Sequence, residues 1–317
     1  MPKVSVVIPA YKALAYLPET IASVLTQTFQ DFEILVVDDG SPDQTGAWVQ
    51  AQTDPRIKLF TQVNQGPAAA RNTALAQAQG EYVAFLDADD LWEPTKLAKQ
   101  VQCLDQYPEV GLVDVWVMLA DGSGVAKGRV LASQSEGWVY PQLIERNSVG
   151  CGSSPMVRRS CLAEVGVFDP NLHGTEDWDL WIRIAAKYPF KVIREPLIRY
   201  RQVAVSVSRN VKRMEQEIYK VIEKTYRTVP LELLPLRGKS YGHNYLYGAW
   251  QCVASGDYQA GAYLRDRAHA HYPPCKYTVK SWRLGLALGL MQWLKPARYQ
   301  QLQQSVYELR RLTGGRA

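Results

Sequence analysis

Short runs of β-favouring apolar residues recur between stretches of helical spacing, and this alternation limits the fold more than any single motif does. Val4 to Ile8, Phe32 to Val37, Ile57 to Phe60 and Tyr82 to Leu86 lack internal turn residues and read as buried strands. Between them, Tyr16 to Phe29 places Leu17, Ile21, Val24, Leu25 and Phe29 near helical spacing, with Pro18 close to the start where proline is tolerated. Asp43 to Gln52 reads as a second helix. Gly66-Pro67 opens an alanine-rich third, Ala68 to Ala78, that stops before Gly80. The pattern predicts an α/β domain with a mostly parallel sheet flanked by helices and wound right-handedly.

Such sheets bind ligands beyond the carboxyl ends of their strands. Pro9, Asp38-Asp39 and Asp87 to Asp90 all fall there. Carboxylates bunched where a buried strand emerges need a partner, and a hard divalent cation with positions open to substrate phosphates is the usual one. Asp89 is the first choice for Mn2+ or Mg2+, with Asp87 orienting a ribose or a metal-bound water. Capping of the helix near Pro94 explains one aspartate but hardly three. Asp39 suits the N–H of a base or a ribose hydroxyl, while Asp38 or Asp39 caps the following turn. Arg71 sits early on its helix, where the dipole disfavours a cation; a phosphate or a strand-end aspartate would account for it.

Glu176-Asp177 adds a second acidic cluster. A carboxylate there, raised by an apolar neighbour such as Trp178, could take the proton of an acceptor hydroxyl. Trp178 and Trp181 would stack on sugar faces or lie in the core. Capping by Thr175 or Asp177 is the plainer alternative.

Thr95 to Tyr107 reads as a helix and Gly111 to Leu119 as a strand, and Asp177 to Lys187 again has helical spacing. The first domain is expected to span residues 1–208. Residues 209–317 form a helical C-terminal region that shapes the acceptor site, meets a membrane or forms a homo-oligomer. Within it, Tyr241 to Ala270 resembles one helix–turn–helix unit. The most apolar run, Leu284 to Leu294, is shorter than the ~18 residues of a membrane span. The Trp282–Trp293 segment is expected to pack within the protein, with a membrane surface as the alternative.

A net charge of +5 over 317 residues, with basic residues gathered around Arg194–Arg213 and at Arg310, Arg311 and Arg316, fits anionic sugar nucleotides or an anionic membrane face. No nucleic-acid reading module accompanies it. Five scattered cysteines without CxxC units, and no secretory pattern ahead of Val4, suggest a cytoplasmic protein, peripheral at the inner membrane face if it meets a membrane. The four histidines lack zinc spacing, and no GxSxG, GxxxxGK or GxGxxG motif occurs.

With these residues in place, the chain resembles the family 2 glycosyltransferases, GT-A-fold enzymes that use nucleotide-activated sugars. VSVVIPAY, SVLTQTFQDFEILVVDDGSPDQT, GPAAARNTALAQAQGEYVAFLDADD and GTEDWDLWIR carry the likeness, over roughly the first two hundred residues. The resemblance implies inverting transfer of a single sugar, a hexosyltransferase type of reaction, from a nucleotide-diphosphate sugar, with UDP the foremost nucleotide. The acceptor would be a hydroxyl on a glycan, lipid-linked or cell-surface precursor. It implies Pro9, Tyr11, Asp39 and Arg71 around the nucleotide, Asp87 and Asp89 at the ribose and metal, and Asp177 as catalytic base, with Glu176 and Trp178 in support. Many relatives place a histidine soon after a Tyr-Arg pair. Here Tyr200-Arg201 leads into Gln202-Val203-Ala204, so Arg201 or Arg209 would supply the phosphate contact instead. The rivals are a sugar nucleotidyltransferase, whose glycine- and lysine-rich loop is missing after Ile8, and a non-catalytic sugar-nucleotide-binding scaffold.

Overall fold

The computed structural model describes residues 1–202 and 211–294. Val203, Arg209, the expected boundary after residue 208, and Arg310, Arg311 and Arg316 lie outside those residues. The chain divides into two compact units: Met1–Leu143 with Asn147–Ala204, and Ile144–Arg146 with Val205–Ala317.

In the first unit, β1 (Val4–Ala10), β2 (Phe32–Asp38), β3 (Ile57–Thr61) and β4 (Tyr82–Phe85) pair in parallel in the order β3-β2-β1-β4. β2 is buried along its whole length and β1 at every position but Pro9, the pattern of a parallel sheet covered on both faces. The connections are α1 (Leu17–Leu25), α2 (Thr45–Gln50) and α3 (Pro67–Gln77). α1 ends at Leu25 and does not run on to Phe29. Buried Gln27 turns its amide to other work: Nε2 donates to the Ser23 carbonyl at 3.1 Å and the Glu93 carbonyl at 2.8 Å, and Oε1 accepts from the Leu97 amide at 3.0 Å.

The sheet continues through β5 (Leu91–Trp92), β6 (Leu112–Ala120), β7 (Ala126–Leu131), β8 (Met156–Arg158) and β9 (Phe190–Arg201), interleaved with α4 (Lys96–Gln106), α5 (Tyr140–Glu145), α6 (Arg159–Val165) and α7 (Glu176–Ala185). β8 lies antiparallel between β4 and β6, while β9 runs parallel to β6 and antiparallel to β5. The antiparallel insertion has a consequence. It brings the Gly150–Ser154 segment, which leads into β8, to the carboxyl end of β4.

The second unit holds α8 (Val211–Thr225), α9 (Leu236–Ser255), α10 (Tyr258–His271) and α11 (Val279–Leu294). α9 and α10 form the expected helical hairpin. Gly256 closes α9 at φ 85°, a left-handed turn that glycine adopts freely, and the Asp257 carboxylate accepts the Ala260 amide at 2.9 Å to start α10. α11 packs within the protein on one face only. Leu284, Ala287, Leu288 and Met291 are buried, whereas Trp282, Leu286, Leu290 and Trp293 are exposed. Among the described residues, no helix is long and apolar enough to cross a membrane.

Lys96 is fully buried at the start of α4, with Nζ 3.9 Å from the centre of the Trp92 ring and 2.7 Å from Gln100 Oε1, to which it donates. Burial pushes its ammonium down to about 7, against the opposing pull of Cys151 and Asp114. The unfolded chain therefore holds more protons here between about 7 and 10.5, and stability rises with pH across that window. Lys96→Met, which keeps the stem and removes the charge, is expected to stabilise the protein by about 1–2 kcal/mol at neutral pH. It should also flatten the rise. Urea denaturation on both sides of the window reads both effects.

Candidate active site

The strand ends carry the polar groups. Asp39 follows β2, and its amide donates to the Ala10 carbonyl at 2.8 Å, tying the ends of β1 and β2. Its buried carboxylate accepts three hydrogen bonds: from Gln62 Nε2 (2.7 Å) and the Gln65 amide (2.9 Å) at Oδ1, and from the Gly66 amide (2.8 Å) at Oδ2. A carboxylate offers about four acceptor positions, so one remains on Oδ2. Gly66 precedes α3 at φ 88°, so the loop that Asp39 organises needs glycine there. Asp38 takes the turn role, with Oδ1 accepting the Ser41 amide at 3.1 Å. Pro9 lies within β1 opposite Val37, and Tyr11 beyond it is half exposed. Lys12 has φ 51°, the one non-glycine residue with positive φ among those described, and its amide donates to Ser41 Oγ at 3.0 Å.

Arg71 joins the two acidic clusters. Its guanidinium is about 5% exposed; Nη2 donates to Asp87 Oδ1 at 2.6 Å and Nη1 to Glu176 Oε1 at 2.9 Å. Burial alone would lower its pKa, but the carboxylates of Asp87 and Glu176 more than offset that and hold it above the usual arginine range. Beneath it lies an apolar floor of Phe85, Phe168 and Trp181, with the guanidinium carbon 5.4 Å from the Phe168 ring centre. Asn72 fixes the neighbouring loop by exchanging bonds with the Phe168 backbone in both directions, at 2.9 and 3.0 Å.

Burial sorts the aspartates after β4. Asp90 is wholly buried: Oδ2 accepts Ser153 Oγ at 2.6 Å and Oδ1 accepts the Arg201 amide at 3.1 Å. Burial, then the charges of Asp89 and Asp87, push its carboxyl well above the ordinary range. Asp90 is therefore a tie between segments, and the strand-end cluster offers two carboxylates rather than three. Asp89 is partly exposed and raised to about 6 by burial and Asp87, with Arg201 opposing. Asp87, also partly exposed, is held by Arg71, and its amide donates to Ser153 Oγ at 2.9 Å. Among the described residues, no three carboxylate, imidazole or thiolate groups converge as a metal cage. A hard cation that takes one or two carboxylates plus substrate phosphates needs no such cage, and the Asp87–Asp89 pair, with excess negative charge and open oxygens, fits that donor set.

At the start of α7, Glu176 is buried between Arg71 and the Gly174 amide, 2.5 Å from Oε2. Asp177 is partly buried, and burial followed by the charge of Glu176 raises it to about 7, with Arg71 opposing. Thr175 makes no capping bond, so the plain capping reading fails for it. The sugar-stacking expectation for Trp178 and Trp181 is also overturned. Both are buried; Trp178 Nε1 donates to the Leu143 carbonyl at 2.7 Å, and Trp181 packs on Phe85 and Phe168. Every residue from Trp178 to Ile182 is buried, and indole surface goes to the core.

Arg201, at the end of β9, is buried, bonded to Glu19 of α1 and stacked 5.3 Å from the Tyr16 ring centre. Its Nε and Nη1 have no hydrogen-bond partner among the described residues. Sequence reasoning missed Glu19, Gln62 and Ser153 as parts of the site. The pairing of Ser153 with Asp90 required the antiparallel placement of β8.

The model of the Glycosyl transferase family 2 matches residues 5–165. An uncharacterized glycosyltransferase of Rickettsia felis is 35% identical over 205 residues, 63% of this chain and 33% of that protein, so the chain spans about a third of its length. The UDP-Glc:alpha-D-GlcNAc-diphosphoundecaprenol beta-1,3-glucosyltransferase WfgD of Escherichia coli is 34% identical over 210 residues, 65% of this chain and 80% of that protein. Among solved structures, the mannosyltransferase PcManGT from Pyrobaculum calidifontis, in complex with GDP-Man and Mn2+, aligns at TM-score 0.60 and 23% identity over 93% of this chain and 88% of that one. S. aureus TarS 1-349 with UDP-GlcNAc aligns at 0.56 and 20% identity, over 89% and 92%. At these identities the structural likeness establishes the fold.

Arg71→Met leaves two carboxylates without their cation, one of them buried, and is expected to cost about 3–5 kcal/mol in denaturant unfolding. Arg71→Met/Glu176→Gln should recover part of the loss, with a coupling of about 1–3 kcal/mol; strictly additive effects would contradict the pairing.

Proposed function

Because the chain belongs to glycosyl transferase family 2, we propose that it is an inverting glycosyltransferase that moves one sugar from a nucleotide-diphosphate donor to an acceptor hydroxyl. The observation that carries this reading is the Arg71 clamp, which sets Asp87 beside the Glu176-Asp177 pair. Donor-side and acceptor-side carboxylates thereby meet at one rim of the sheet.

The base would meet Asp39 at its remaining acceptor position, with Tyr11 and Pro9 alongside and Asp87 at the ribose. The acidic contact favours a uracil N–H, and the donors named for WfgD and TarS carry UDP. Asp89, with Asp87 beside it, would hold Mn2+ or Mg2+, which supplies Lewis-acid stabilisation of the departing diphosphate. The remaining work falls to the chain's own residues. Asp177 takes the proton of the acceptor hydroxyl, and the oxygen attacks the anomeric carbon opposite the diphosphate. The bond from that carbon to the β-phosphate oxygen breaks, and its electron pair leaves with the nucleoside diphosphate. Glu176, paired with Arg71, adds its charge to the burial that raises the basicity of Asp177. A glycan or lipid-linked acceptor suits this chemistry, as in the name of WfgD.

A base with a pKa of about 7 works only when deprotonated, so kcat/KM should fall as pH drops through about 7 and level off above it. Asp177→Asn should lower kcat by about 10²–10⁴-fold and erase that limb while UDP still binds. Calorimetric titration of UDP is expected to strengthen with Mn2+ in the native protein and to lose that response in Asp89→Ala. Binding indifferent to both the cation and the substitution would contradict the metal assignment. Release of pyrophosphate from a sugar phosphate and a nucleoside triphosphate would favour a nucleotidyltransferase.

A further inference from the structure

α11 is apolar on both sides, and only one side is covered. At about 100° per residue, Val279, Trp282, Leu286, Leu290 and Trp293 fall within about 40° of one line along the helix. All five are exposed, Trp282 by 66% and Trp293 by 81%, and Tyr277 just before the helix by 90%. The buried stripe of Ser281, Leu284, Leu288 and Met291 occupies the opposite side. A stripe of this length with a tryptophan towards each end differs from isolated exposed apolar residues, which need no explanation.

Charge identifies the partner. Between Asp266 and Glu308 the chain has no acidic residue, while Arg267, Lys276, Lys280, Arg283, Lys295 and Arg298 are basic. Lys280 and Arg283 are exposed on one flank of the stripe. Beside it lies a groove of about 330 Å³ whose lining includes Arg265, Asp266, His269, Lys276, Trp282 and Leu286. A symmetric antiparallel contact with a second copy would set this basic flank against itself. An anionic bilayer instead meets the cations with head-group phosphates and takes the indoles at its interface.

We propose that the exposed face of α11 and its adjoining groove dock the protein on an anionic phospholipid surface. This docking does not depend on the donor site, and the failure of either leaves the other standing. The full chain should co-sediment with phosphatidylcholine vesicles containing 30% phosphatidylglycerol at least about tenfold more strongly than with phosphatidylcholine alone, and added salt should weaken it. Trp282→Ser/Leu286→Ser/Trp293→Ser should reduce binding by more than about tenfold with an unchanged melting temperature, since all three side chains are exposed. Lys280→Glu/Arg283→Glu should abolish the preference for anionic lipid. Brominated lipid in the anionic vesicles should quench the tryptophan emission of the native chain, which needs no variant. Native protein left in the supernatant, or a triple variant that binds like the native chain, would overturn the proposal. So would a dimer in sedimentation equilibrium that the triple variant dissociates, which would assign the face to a second copy.

Discussion

The guanidinium of Arg71 is the contact on which the rest of the site depends. Taking the Arg71 cation and the Glu176 carboxylate out of water, with Asp87 left partly exposed, is costly, and the cost is offset only when each charge meets its partner at hydrogen-bond distance. Arg71 meets Asp87 at 2.6 Å and Glu176 at 2.9 Å. Those partners lie 16 and 105 residues away in sequence, so a single side chain locks α3, the end of β4 and the start of α7 into one arrangement. The helix dipole that argues against an arginine at this position is overcome by two full charges.

Around that lock, four acidic side chains differ in kind. Asp90 is enclosed by Ser153 and the Arg201 backbone and serves as structure. Asp87 is engaged by Arg71, Asp89 stays partly exposed at a raised pKa, and Asp177 is raised to about 7 by burial and the charge of Glu176. Differences in burial, more than differences in residue type, separate the carboxylate proposed for the cation from the one proposed as base. The opposite signs of the two regions are equally notable: an acidic rim on the first unit and a run without acids along the end of the second.

The parallel half of the sheet was legible because strands buried on both faces read as unbroken apolar runs, as in Val4–Ile8 and Phe32–Val37. The second half was harder. β5 has only two residues, β8 three, and β9 is interrupted by Arg194, Glu195 and Pro196. Asp39, Arg71, Asp87, Asp89 and Asp177 stood out by their placement at strand and helix ends. Ser153 and Glu19 did not, since their roles arise from pairings across 63 and 182 residues that no local pattern encodes. Trp178 and Trp181 misled because an indole in an acidic helix start suits a sugar platform and a core equally well. For α11, apolar residues around the whole helix concealed which face would be left uncovered.

The most direct measurement is a crystal structure of the protein with UDP and Mn2+ at saturation. The uracil is expected at the open position of Asp39, the ribose at Asp87 and the cation at Asp89, with Arg71 still bonded to Glu176. A nucleotide seated elsewhere, or an empty rim under those conditions, would contradict this arrangement.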